Sequence, residues 1–149
     1  MLLLISNRLR QHFQALKEGV TSRPTPRSLL VEAARAFNAG HYFEAHEILE
    51  DGLDGVPNEL WELYIGLIQI AVGYHKVTQQ LWHGAARMLQ MGLEKITVFP
   101  ATAGGVNLEA LRARIRADID RLRSCRLDVE AFTRRPPRLQ PLRRPRGSD

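Results

Sequence analysis

Apolar residues recur three and four positions apart along most of this chain, the period of an amphipathic helix, and no convincing strand-like alternation competes with it. Between residues 6 and 20, Leu9, Phe13, Leu16 and Val20 share one helical face, and Pro24 and Pro26 close the segment. Thr25 followed by Pro26 is the N-cap and first-position pair of a second helix, which Gly40 ends. A third helix is expected from about His41 to Leu53, stopping in the turn from Gly52 to Pro57. Asn58 stands where it would cap a fourth, with Glu59 and Glu62 at the positive end of its dipole. Residues 82–99 read as a fifth helix, ended by Pro100 and the Gly104–Gly105 pair. Asn107 opens a sixth in which Leu108, Leu111, Ile115, Ile119 and Leu122 repeat at three and four, and Asp128 caps a short last turn through Phe132. The pattern predicts an all-α fold, a single compact bundle of five to six helices joined by short connections.

The fourth helix is apolar on nearly every side, from Trp61 through Val72, which predicts a buried central helix. Gly66 and Gly73 lie seven apart on one stripe of it. Glycine inside a helix costs about 1 kcal/mol against alanine, a cost tolerated where a neighbouring backbone must come close. Gln69 sits between the two glycines, on the side where that neighbour belongs.

Polar residues within this apolar frame carry the candidate chemistry. On a wheel with His46 at zero, Tyr42, Phe43, Leu49, Glu50 and Leu53 fall within about 60° of it, which puts His46 and Glu50 inside the apolar stripe and Glu47 at its edge. A buried carboxylate must be paired, protonated or bound to a metal. No Lys or Arg occurs between Arg35 and Lys76, so His46 is the obvious partner of Glu50. Three readings stay open. His46, Glu50 and Gln69 form either a hydrogen-bonded polar core that fixes helix docking, or a ligand-binding site in which Glu47 serves as a catalytic base. In the third, His46 and Glu50 chelate a divalent metal, with His75 as the distant third ligand. The string His46-Glu47-Ile48-Leu49-Glu50 looks like a zincin helix whose second His is replaced by Glu.

With these residues in view, the stretch Phe37 to Glu50, FNAGHYFEAHEILE, followed by Gly66 to His75, GLIQIAVGYH, resembles the bacterial and archaeal family called domain of unknown function 309. The resemblance covers about residues 29–99, the Gly84–Ala85 pair included, and the sixth helix loosely. It implies a compact all-helical fold and no established activity, and it picks out His46, Glu47, Glu50 and Gln69. The chain departs from the family's pattern at Leu53, where Trp is usual, at Ile65, where Gln is common, and at Leu81, where Asn is common.

Charge and cysteine count narrow the classes. The net charge is +5 over 149 residues. The Pro/Arg-rich segment 134–149, with six Arg and one Asp, supplies all of it. The expected organisation is thus a neutral helical domain over 1–133 and a disordered basic tail over 134–149. Nucleic acid is expected to bind only weakly, through that tail. Within the domain, residues 41–62 carry seven acidic side chains and no Lys or Arg. The Arg residues of the sixth helix, offset by Glu109, Asp118 and Asp120, read as a solvated face. Cys125 is the single cysteine, no apolar run is long enough to span a bilayer, and a cytoplasmic protein is expected. Two function classes follow: a helical protein with a buried His/Glu/Gln site for a metal or small polar ligand, or a helical interaction module, for a protein partner or a second copy, whose polar core is purely structural.

Overall fold

The computed structural model describes residues 24–143, so the helix expected over residues 6–20 lies outside them. Six helices follow in order: α1 (Pro26–Asn38), α2 (Tyr42–Asp51), α3 (Trp61–Thr78), α4 (Trp82–Thr97), α5 (Leu108–Arg123) and α6 (Val129–Arg134). Helix α1 packs on α2, α2 on α3, α3 on α4 and α4 on α5. Among the described residues no strand forms, only an isolated bridge between Val106 and Pro141. The fold is an all-α bundle.

Most of the punctuation acts as the sequence predicts. Thr25 accepts a hydrogen bond from Ser28 N–H with Pro26 opening α1, Asn107 accepts from Ala110 N–H, and Asp128 accepts from the N–H groups of Glu130 and Ala131. Gly40 takes a left-handed φ of 84°, which lets His41 N–H reach back to the Ala36 carbonyl at 2.8 Å and end α1. Asn58 is the exception. The chain makes a 3-10 turn over Asn58–Leu60 before α3 begins at Trp61, and the Asn58 side chain caps nothing there.

The core gathers on α3, whose buried residues include Leu63, Tyr64, Leu67, Ile70, Ala71 and Tyr74. It is not enclosed all round: Ile65, Gln69, Val72 and Lys76 form a partly open stripe, with Glu62 exposed at its start. The close neighbour demanded by Gly66 and Gly73 is α4, which runs antiparallel to α3. A Cβ at Gly66 would lie 2.8 Å from Ile96 Cγ2, and one at Gly73 would lie 2.8 Å from Leu89 Cγ. Gly92 answers from α4. A Cβ there would sit 2.6 Å from Ile70 Cγ1 and 2.7 Å from the Gly66 carbonyl oxygen.

The expectation of a disordered segment from 134 onward fails for residues 134–143. Leu139 is 2% exposed and belongs to the core. Asn38 clamps its backbone twice, donating from Nδ2 to the Leu139 carbonyl at 3.0 Å and accepting from Leu139 N–H at 2.8 Å. Arg27 donates to the carbonyls of Gly105 and Leu142, and Asn107 N–H donates to the Gln140 carbonyl. A Pro/Arg-rich composition cannot build a core alone, but its two Leu residues and its carbonyls find partners on an existing one.

The glycine contact between α3 and α4 makes a direct prediction. Gly92→Ala gains up to about 1 kcal/mol of helix propensity but forces a methyl into the Gly66 backbone, and should lower stability by about 1–3 kcal/mol net in urea unfolding.

Candidate functional site

The face of α2 turned to the core consists of Tyr42, Ala45, Ile48 and Leu49. Its centre lies about 100° around the helix from His46. The wheel drawn from sequence is displaced because it counts Phe43 as core, whereas that ring is 50% exposed. With Phe43 outside, His46 and Glu50 move to the rim. The His46 side chain is 15% exposed and that of Glu50 52% exposed, so the buried carboxylate expected there does not exist.

The pair does meet. His46 Nε2 lies 3.3 Å from Glu50 Oε1, and Nδ1 lies 2.9 Å from the Phe43 carbonyl oxygen. With Nδ1–H donated to the carbonyl, Nε2 donates to Glu50 only in the doubly protonated ring. His75 joins from α3: the Phe43 ring centroid lies 5.0 Å from that of His46 and 5.2 Å from that of His75. Glu47 is half-buried and forms no hydrogen bond or ion pair among the described residues. Gln69 does not join the group. It stands on the partly open stripe of α3, beside the glycines that face α4, and its Oε1 is buried without a hydrogen-bond partner. The expected His46–Glu50–Gln69 network therefore does not form, because the side of α3 bearing Gln69 is not the side that meets α2.

Nor do the described residues contain any convergent group of three or more His, Cys, Asp or Glu side chains fit to hold a metal ion. The divalent-metal role expected of His46, Glu50 and His75 has no support in this geometry. What these residues form is a surface patch: an aromatic ring against two imidazoles, bordered by carboxylates. Partial burial lowers the His75 pKa below its ordinary 6.5, with the His46 and Lys76 charges adding to the effect.

The polar group that is buried lies elsewhere, at Asp118 on α5, and sequence reading missed it. Its side chain is 1% exposed and both oxygens are engaged. Oδ2 accepts from the Tyr74 hydroxyl at 2.7 Å and from Arg114 Nε at 2.8 Å, while Oδ1 accepts from Arg121 Nη1 at 2.9 Å. Burial first, then the Asp118 charge, pushes the Tyr74 pKa well above 10, so the phenol stays protonated and donates. Three rings pack around it from three other helices. Tyr74 lies 5.8 Å from Phe37 and 5.7 Å from Tyr42 between ring centroids, and stacks on Phe132 at 5.9 Å. Burial likewise pushes Tyr42 to about 12. The signal was present in the sequence: Asp118 falls seven residues after Leu111 on the apolar stripe of α5, with Arg at i−4 and i+3.

Residues 30–88 match the family described as Domain of unknown function (DUF309), which bears out the resemblance read from the motifs. An uncharacterized protein of Aquifex aeolicus (strain VF5) is 34% identical over 86 residues. That match covers 57% of this chain and spans 26% of the relative's length. No solved structure matches. No helix among the described residues is long and apolar enough to cross a membrane.

Two outcomes follow from this geometry. Tyr74→Phe should cost about 1.5–3 kcal/mol, the range for a hydrogen bond to a charged acceptor, and much less in an Asp118→Asn background, as a double-mutant cycle in urea will show. His75 binds protons less readily folded than unfolded, so its contribution is intact above the unfolded pKa of 6.5 and stability falls as pH drops through and below it. His75→Gln should flatten the part of the acid-side decline that begins there, measured by chemical denaturation from pH 7.5 downward.

Proposed function

We propose that the segment matching DUF309 is a recognition module, and that the patch of Phe43, His46, Glu47, Glu50 and His75 docks a helical segment of a protein partner bearing apolar and basic side chains. The observation that carries this reading is the Phe43 ring, half exposed and in contact with two imidazoles. A ring fixed by its neighbours offers contact area at little entropic cost, and aromatic anchors dominate the energy of protein interfaces. His46 is itself held through Nδ1 by the Phe43 carbonyl, with Glu50 beside Nε2, so the patch is pre-formed.

The electrostatics supply the partner's charge. Glu44 and Glu50 are exposed beside Phe43, and the span 41–62 contains seven acidic residues without one Lys or Arg. Such a surface attracts Lys and Arg during encounter and disfavours acidic competitors. Met and Leu side chains on the same partner face would cover the ring. The reading places the protein in the cytoplasm, supported by a single, exposed cysteine that has no partner for a disulfide.

The test is selection of random amphipathic peptides against the full chain, followed by affinity measurement with the Phe43→Ser variant. Enriched peptides should be basic, should perturb the NMR signals of Phe43, His46 and His75, and should bind Phe43→Ser at least about tenfold more weakly, as expected for an aromatic anchor, with little change in thermal melting. Peptides that bind Phe43→Ser as tightly as the natural chain, or that map to another face, would remove the proposal.

A further inference from the structure

Away from that patch, the end of α5, the turn after it and α6 enclose a cleft of about 250 Å³. Four guanidinium groups line it, from Arg114, Arg121, Arg126 and Arg135, against two carboxylates, Asp118 and Asp128. Phe132 and Leu127 provide apolar wall. The carboxylates are already committed. Asp118 has both oxygens engaged by Tyr74, Arg114 and Arg121, and Asp128 Oδ1 accepts the first N–H groups of α6. Arg126 and Arg135, by contrast, have no ion pair or side-chain hydrogen bond among the described residues.

The cleft is therefore doubly positive in sum, and its charges are arranged in two tiers. Asp118, fixed at the core by Tyr74, holds Arg114 and Arg121 in place, and Arg114 also lies over the Phe132 ring at 5.8 Å from its centroid. The second tier is aimed by backbone. Cys125 takes a left-handed φ of 56°, a conformation costly for a non-glycine residue, and this lets Arg126 N–H close on the Arg121 carbonyl at 2.7 Å. That turn brings Arg126 to the cleft. Arg135 is delivered by the ordered segment after α6, whose anchor is Leu139 in the core.

We propose that this cleft binds the dianionic phosphoryl group of a small phosphomonoester, with Arg126 and Arg135 as its direct ligands and Arg114 and Arg121 completing the positive field. A carboxylate is planar and one guanidinium fork satisfies it, whereas guanidinium groups converging from three segments suit a tetrahedral group with three terminal oxygens. The charge of the cleft matches a dianion. Its volume falls just under the usual range for small-molecule pockets, about 300–1,000 Å³, which sets the ester's organic part as small. Phe132 and Leu127 are the surfaces against which that part packs.

Isothermal titration of the full chain at low ionic strength, with inorganic phosphate and with phenyl phosphate, tests this assignment. Both probes should bind at one site, phenyl phosphate the tighter. Arg126→Gln and Arg135→Gln should each weaken phenyl phosphate at least about tenfold, the loss of one charge-assisted contact, while Arg116→Gln, exposed on α5 outside the cleft, should leave affinity unchanged. Absence of binding, or an equal loss in Arg116→Gln, overturns the site. Phosphate binding without phenyl phosphate binding overturns the ester assignment. Binding of a short single-stranded oligonucleotide in preference to both probes makes the surface a nucleic-acid contact and overturns it as well.

Discussion

A single buried carboxylate organises this molecule. Asp118 is nearly inaccessible, and a charge so placed is tolerated only when it is paired and hydrogen-bonded. Tyr74 and two arginines supply that pairing, and the tyrosine and the arginines connect Asp118 to different parts of the fold. The tyrosine belongs to the central helix and to a cluster of four aromatic rings from α1, α2, α3 and α6. The arginines line a cleft at the surface. Core packing and surface charge are thus joined at one residue. A replacement there would remove the hydrogen bond that ties α5 to α3 and release two guanidinium groups together.

The close approach of α3 and α4 is the second constraint. Glycines on both helices allow backbone to meet backbone, which turns Gly66 and Gly73 toward α4. That rotation of α3 decides where its other residues go. Tyr74 is directed toward Asp118, His75 toward Phe43, and Gln69 to the open stripe beside the glycine contact. The same rotation separates Gln69 from His46 and Glu50. The surface patch and the buried network follow from one helix orientation, fixed by the absence of three side chains.

The ordered segment after α6 shows how a polar, proline-rich stretch becomes structure. It contributes little apolar surface, but α1 presents Asn38 and Arg27 to its carbonyls and its Leu139 fills a place in the core. Its prolines, which lack N–H groups, reduce the number of donors such a segment must satisfy. In consequence, removing residues 134–149 would not strip away a bare basic tail. It would also take a core side chain and one wall of the arginine cleft.

By itself the sequence determined the helices from Pro26 onward, most of their caps, the all-α class, the need for a close neighbour at Gly66 and Gly73, and the likeness to the DUF309 family. These are local properties, set by periodicity and by side chains that act on backbone a few residues away. Periodicity marks an apolar face but does not fix its centre when one large apolar residue lies outside the core. Phe43 was such a residue, and counting it as buried carried His46 and Glu50 inward with it. The carboxylate on the stripe of α5 was equally legible, yet the arginines on either side made it resemble a solvated face. Only the tertiary structure decided which of these carboxylates lost its water. Burial depends on which faces of different helices meet, and that is settled by contacts between residues far apart in the chain: a tyrosine 44 positions before its aspartate, and an asparagine 101 positions before its leucine.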